Sequence, residues 1–433
     1  RPALVAGPLV AVLVLLAAPA PGQDGLRAGA ASVTLPVPAG TPLAGYGALA
    51  RRLLPPDLLD RHPHAFWFKP HEGRLDDLRA RALVLETSRA RLVWLAADVV
   101  AVDRDFTERV AQALADAGLA PGRLLLSASH THSGPGAFLD AGMLGMLAVD
   151  RLDADVRGAI VGALVEAVRR AERDKRPARL GSSLAAGPAL TVGRLEEPVD
   201  QSLAVLKITT ENGRPLAVVW NYAIHGTMLS ARNLRLSGDV MGLAARRIER
   251  ELGIPALFVN GAVGDVSPAR HGAEEAEAAA RTLAGAVVSA WREIRTESRP
   301  RLVARAARVQ LGAPRLSLRG CLGRWVPGAL ALPLDGLLRG DAELVAAAAG
   351  EAAWVTVPGE LQSALGQAIR RGSSPPWPRV FIAGLTNDYL GYFLTPEAAA
   401  GSSYVACANL FGAEAGRRLV SGAVALLRAL AAE

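Results

Sequence analysis

The sequence predicts an α/β fold: a mixed-sheet domain with helices packed around it and an active site at strand C-terminal ends. Two observations carry this. From Ala82 onward, short β-branched or Leu-rich runs alternate with longer Ala/Arg/Glu-rich stretches of helical character, the signature of strands and helices sharing one layered core. Polar, chemically capable residues then cluster just after the apolar runs and not within them. His130 and His132 follow RLLLSAS, His225 follows LAVVWNYAI, NGAVGDVSP follows PALFV, Glu360 follows WVTVPG, and 387–392 follow RVFIAGLT. In open α/β sheets, ligands gather at the loops leaving the carboxyl ends of strands.

In chain order, the apolar runs predict strands over 82–86 and 92–97, a helix over 105–117, a strand over 123–127 and a helix over 155–173. Strands over 204–209 and 216–223 precede a helix over 240–252, a strand over 256–259 and a helix over 274–295. The last part predicts strands over 354–357 and 380–383 and a helix over 413–431. In that helix Leu419, Ala423, Leu426, Leu427 and Leu430 fall on one face. No internal repeat interrupts the series.

With 433 residues and 51% hydrophobic content the chain can bury a large core. The net charge of +7 rests on 45 Arg and 3 Lys scattered without a run, and aromatics make up 5%. A nucleic-acid partner, which would need a basic stripe interleaved with stacking residues, is therefore not expected. Residues 1–28 read as a signal segment: Arg1, an apolar run over 3–18, then small residues and prolines. An uncleaved N-terminal anchor, or a cut near Ala28, are the alternatives. The apolar run is shorter than the ~20 residues of a comfortable membrane span. Export is the expectation, periplasmic or secreted, with 29–433 as a single domain. Cys321 and Cys407 are the only two cysteines; export would permit them to pair, and their number does not suit a cysteine metal site.

The string SHTHSGPG places His130 and His132 two residues apart at a strand end. On an extended backbone such residues point to the same side, so both imidazoles would face one cavity. A buried histidine held by backbone carbonyls is the plain alternative for each. His225, at another strand end, and Glu360 bring the candidates to a full set for a catalytic metal, which takes about three protein ligands. Glu360 also precedes a helical stretch, LQSALGQAIR, and would suit a helix N-terminus. The loop 260–270 offers Asp265, Ser267 and backbone N–H groups before a helix, as an oxyanion or hydroxyl contact or as a simple cap. Ser267 lacks the GxSxG context, which speaks against a serine hydrolase. The segment 320–350 departs from the pattern: Trp325, Leu332, Leu334, Leu337 and Leu338 could form a lid or a membrane-facing insertion, and an insertion packed on the core is the plainer reading.

Taken in order, SHTHSGPG, AIHGT, NGAVGDVSP, VPGE and NDYLGYFLT resemble the neutral, non-lysosomal ceramidases, collinearly from about residue 29 to 412. The resemblance implies zinc-dependent hydrolysis of the amide between a fatty acid and a sphingoid base, and so a lipid-like substrate with peripheral membrane contact. It implies Zn2+ held by His130, His225, Glu360 and Tyr392, with His132 beside the metal as an acid/base or substrate-orienting group. By motif match Tyr404 helps polarise the amide carbonyl, Ser267 is the loop serine, and Arg194 lies near the substrate, although Gly193 stands where asparagine is usual. Val405 and Ala406 replace the family's Glu-Gly after that tyrosine, the stretch from Arg194 to Asp200 is short, and the β-sandwich domain of the family has no counterpart in this sequence. A different N-acyl substrate, or a non-catalytic envelope binding protein, are the alternatives. The sequence carries no sign of an oligomeric state.

Overall fold

The computed structural model describes residues 25–119, 122–140, 142–195 and 197–432, so residues 1–24 of the expected signal segment lie outside the described residues. The expected boundary after residue 28 falls inside the first strand, where Ala28 is buried and pairs with Leu85. Leu26 is already part of the core.

The chain opens with β1 (Arg27–Thr34), β2 (Arg79–Glu86), β3 (Arg91–Ala97), α1 (Arg104–Asp116), β4 (Arg123–Ala128), α2 (Gly142–Val149) and α3 (Ala154–Arg173). Next come β5 (Arg176–Ala186), β6 (Thr191–Gly193), β7 (Ser202–Thr210), β8 (Pro215–Tyr222), α4 (Asp239–Leu252), β9 (Ala256–Asn260), β10 (Val266–Pro268) and α5 (Ala273–Glu293). The remainder holds β11 (Leu302–Gln310), β12 (Arg315–Ser317), α6 (Leu318–Leu322), β13 (Ala331–Pro333), β14 (Asp341–Ala349), β15 (Ala352–Val357) and β16 (Glu360–Leu361). It ends with α7 (Ser363–Ser373), β17 (Arg379–Gly384), β18 (Tyr392–Phe393), α8 (Pro396–Ala399), α9 (Tyr404–Cys407) and α10 (Ala413–Ala431).

An eight-stranded mixed sheet has the order β4-β3-β2-β1-β5-β7-β8-β9, and a four-stranded sheet the order β11-β14-β15-β17. Their facing sides share one apolar layer, in which Trp94 stacks on Trp354 at 5.0 Å between ring centres and Phe381 on Trp354 at 5.5 Å. Truncating either tryptophan would cost about 3–5 kcal/mol. The outer face of the large sheet is covered by α1 and α3 over β1 to β4 and by α4 and α5 over β7 to β9. The outer face of the small sheet is covered by α7 and α10. Strands covered on both sides read as continuous apolar runs, as LVWLAA in β3 and AAWVTV in β15 do.

The segment carrying β12, α6 and β13 is bonded to α9 through Cys321–Cys407. It is pinned inward by Val326 and Leu334, while Leu322, Trp325, Leu330, Leu332 and Leu337 stand exposed. Among the described residues no helix is long and apolar enough to cross a membrane.

Candidate metal centre

The histidines follow β4, at one edge of the large sheet, and β8, next to the opposite edge strand β9, yet they meet. The sheet curls until β9 lies against β2, β3 and β4. Asn260, at the end of β9, then stitches the two exits together, its amide donating to Ser129 O at 3.2 Å and Ile224 O at 2.9 Å. Thr131 bridges Gly226, and His132 N–H donates to Gly226 O at 2.9 Å. Gly226 is required by this approach, since a Cβ there would lie 2.4 Å from His130 O.

The extended-backbone argument for His130 and His132 does not hold. His130 has φ 71°, a left-handed turn directly after β4, and the two rings meet nearly edge to face at 4.9 Å between centres. Gly45, with φ +96°, packs against His132 so closely that a Cβ would lie 2.6 Å from the ring. Glu360 forms the start of β16 and does not cap α7; it pairs in parallel register with Tyr392 of β18.

The nitrogens point inward for a definable reason. His130 Nδ1 lies 2.7 Å from Val100 O and His225 Nδ1 lies 2.8 Å from Val266 O. Each Nδ1–H donates to a carbonyl, which leaves the Nε2 lone pair free toward the centre. His130 Nε2 is 3.4 Å from Glu360 Oε1, and His225 Nε2 is 3.0 Å from Glu360 Oε2. One ring nitrogen from each of His130, His132 and His225 falls within 4.8 Å of the others. His130 Nε2, both nitrogens of His132 and Glu360 Oε2 are buried without a well-formed hydrogen bond. Buried polar atoms are rarely left so. Three imidazoles and a carboxylate converging with orphaned atoms fit a transition-metal ion.

Electrostatics agree. Burial, then the Arg194 guanidinium, brings His225 down to about 4, and burial with His130 and His225 alongside holds His132 well below 6.5. Burial alone would raise Glu360, but His130 and His225 outweigh it and hold the carboxyl well below 4.5. Near neutral pH His132 and His225 are therefore neutral imidazoles and Glu360 an anionic carboxylate, the forms that ligate metals. Tyr392 faces the same carboxylate as a phenol, pushed well above 10 by burial and by Glu360.

A cavity of about 470 Å³ opens onto His132, His225 and Tyr392. Clefts of about 580 and 740 Å³ elsewhere, one beside Arg370 and one between α1 and α3, do not touch the histidines. The cavity wall carries Arg194, whose Nε donates to Ser267 Oγ at 2.7 Å across the β6–β10 pair. Tyr404 stands at the rim, 72% exposed, its ring 5.9 Å from that of Tyr392. All eight residues singled out in the sequence thus lie at or around one cavity. Three others were not: Tyr389, whose hydroxyl donates to Glu360 Oε1 at 2.7 Å; Tyr46, edge-on to His132 at 4.8 Å; and Arg51, which donates to His132 O at 2.6 Å. Tyr389 lies inside the NDYLGYFLT string, but nothing in its spacing marks it; LAGYG and the following Arg-Arg carry no site pattern.

The family model described as neutral/alkaline non-lysosomal ceramidase, N-terminal, matches residues 69–285, half of the chain. The chain belongs to this ceramidase family. Neutral ceramidase B of Dictyostelium discoideum is 27% identical over 223 residues, covering 45% of this chain and 31% of the relative. A neutral ceramidase of Mycobacterium tuberculosis is 28% identical over 223 residues, covering 44% of this chain and 35% of the relative. The chain thus matches about a third of the length of these curated relatives. The crystal structure of neutral ceramidase from Pseudomonas aeruginosa superposes with a TM-score of 0.79 at 19% identity, covering 94% of this chain and 75% of that one. A ceramidase complexed with C2 gives 0.79 at 18% identity, covering 95% and 76%. The ceramidase match holds His130, His132, Arg194, His225 and Ser267; for Glu360, Tyr392 and Tyr404 the likeness is one of fold.

Proposed function

We propose that this ceramidase-family chain hydrolyses the amide bond of ceramide or a related N-acylated lipid, releasing a fatty acid and an amine-bearing base, with Zn2+ as its metal. The observation that carries the reading is the buried set of orphaned nitrogens and carboxylate oxygen, two of whose residues, His132 and His225, line the cavity.

His130, His225 and Glu360 would hold the ion, with Tyr392 against Glu360 on the open side. When bound, the ion would supply Lewis-acid polarisation of the amide carbonyl and a water made acidic enough to react near neutral pH. His132 makes no ring hydrogen bond and lines the cavity, which supports the reading that it would pass a proton to the departing amine. Tyr404 at the rim can donate to the carbonyl oxygen as it gains charge. Arg194, held by Ser267 Oγ, would orient the polar end of the substrate. The described residues from Gly25 onward would act as one hydrolase domain, since Leu26 and Ala28 already belong to its core. Val405, where the family has an acidic residue, lines the cavity, and favours a second reading in which the same chemistry serves another N-acyl substrate. Export is part of the proposal, supported by the N-terminal pattern and by the Cys321–Cys407 bond.

Metal analysis of the purified chain, followed by hydrolysis of a fluorescent N-acylsphingosine with and without a chelator, tests this. Zinc near one equivalent and chelator-sensitive release of fatty acid are expected. Full activity in His225→Ala would sink it, and a folded protein that takes up no metal would point to a binding role.

A further inference from the structure

Twelve large apolar side chains stand exposed among the described residues, and they are not spread evenly. Five belong to the 322–337 segment and four to the loop 49–59. Two more, Val192 on β6 and Tyr404, sit beside or in the cavity wall.

Both apolar segments are rooted at the mouth of the cavity. Gly45, Tyr46 and Gly47 line it, and the chain runs from them straight into Leu49. Arg51 holds that root by donating to Ala44 O and His132 O. On the other side Tyr404 begins α9 and Cys407 ends it, bonded to Cys321, which immediately precedes the 322–337 segment. Gly320 lies so close to Ala406 and Cys407 that a Cβ would come within 2.8 Å of their backbone.

We propose that loop 49–59 and segment 322–337 form an apolar apron around the cavity mouth that docks on an anionic lipid bilayer. The purpose of this surface rests on the N-acyl lipid reading above; its test does not. Leu54 (74%), Leu58 (72%), Trp325 (79%) and Leu337 (64%) project from short turns. Exposed leucines and a tryptophan on such turns suit shallow insertion at the headgroup boundary, where an amphipathic ring is at home. Exposed Arg324 and Arg339 flank the apolar side chains of the second segment, whose acidic complement is Asp335. Together with the chain's net charge of +7, that balance favours an anionic over a neutral membrane surface. Docked this way, the protein would receive its substrate from the bilayer without passing it through water.

Flotation of the purified chain with vesicles of phosphatidylcholine alone, and of phosphatidylcholine mixed with phosphatidylglycerol, tests the apron. Wild-type protein should float with the mixed vesicles, and less so at high salt. The pairs Trp325→Ser with Leu337→Ser, and Leu54→Ser with Leu58→Ser, should each weaken partition by about ten-fold or more. Metal content and hydrolysis of a short-chain, water-soluble N-acyl substrate should not change in either pair. Failure of wild-type protein to float would overturn the proposal, as would either pair floating like wild type, or a wild-type dimer that both pairs abolish. Partition is read without turnover, so an inactive protein that floats leaves the docking surface standing, and an active one that does not float leaves the amidase reading standing.

Discussion

Arg81, Asp98 and Glu249 form one buried polar cluster, and His130, His132, His225 and Glu360 form another. In the first, Arg81 is 1% exposed, yet its Nε reaches Glu249 Oε1 at 2.7 Å and its Nη1 reaches Asp98 Oδ2 at 3.3 Å. Asp98 also accepts from Arg79 N–H at 2.8 Å. That cluster is complete without a ligand, and it ties β2 to α4 and to the exit of β3. The second cluster is as deeply placed but leaves nitrogens and an oxygen unanswered. Completeness separates a structural group of charges from one able to take a ligand, and depth does not.

The sharpest test of that contrast is a pair of substitutions with opposite signatures. His225→Ala should cut amide hydrolysis by about a thousand-fold or more, since removing a ligand removes the ion, while the melting of the metal-free protein stays near wild type. Metal titration followed by thermal unfolding checks both halves. Arg81→Met should do the reverse: a loss of about 3–5 kcal/mol in denaturant unfolding, because Asp98 is left charged and uncompensated, with the metal stoichiometry of the folded fraction unchanged. A metal loss in Arg81→Met, or a stability collapse in metal-free His225→Ala, would erase the distinction.

Asp239 sharpens the comparison as an intermediate case, a buried carboxylate with backbone donors and no cation against it. Its Oδ2 accepts from Leu229 N–H at 3.1 Å, and burial raises its pKa to about 6. The folded protein keeps this proton up to about pH 6, whereas the unfolded chain releases it near 3.8. Stability from this group is therefore greatest below 3.8 and falls as pH rises to 6, by about 3 kcal/mol for a shift of roughly two units. Asp239→Asn should flatten that slope in unfolding curves taken from pH 4 to 7. The smallest effect is expected at Tyr389, which donates to Glu360 and is not among the candidate ligands. Tyr389→Phe should weaken metal affinity about 10- to 100-fold, measured by competition with a chromophoric chelator, with the melting temperature of the metal-free protein unchanged.

Much of the fold is legible in the sequence wherever apolar runs are long and β-branched, as in β3, β8 and β15. Four strands of the two large sheets are not: β1 (RAGAASVT), β5 (RPARLGSSLAA), β11 (LVARAARVQ) and β14 (DAELVAAAA). Their alanines and arginines carry helical propensity, and β14 reads locally as a helix. It is a strand because β11 and β15 flank it and its small side chains let the two sheets and α10 pack close; tertiary context overrides propensity. The same override shapes the site. The histidine pair was found for a reason that fails, since His130 adopts a left-handed turn and not an extended strand. Tyr389, Tyr46 and Arg51 were missed because each acts through one contact made across 29 to 86 residues of chain.

By itself the sequence determined the alternation that makes this an α/β protein, the strand exits where polar residues gather, and the identities of the groups able to bind a metal. Those follow from local pattern and from the chemistry of single side chains. Only the tertiary structure decided that opposite edges of one sheet meet, that His130 and His225 each turn Nδ1 to a backbone carbonyl, and that the remaining atoms face one another unsatisfied. Such facts depend on the curl of the sheet and on glycines that permit near-contact of backbones, quantities that no run of neighbouring residues encodes.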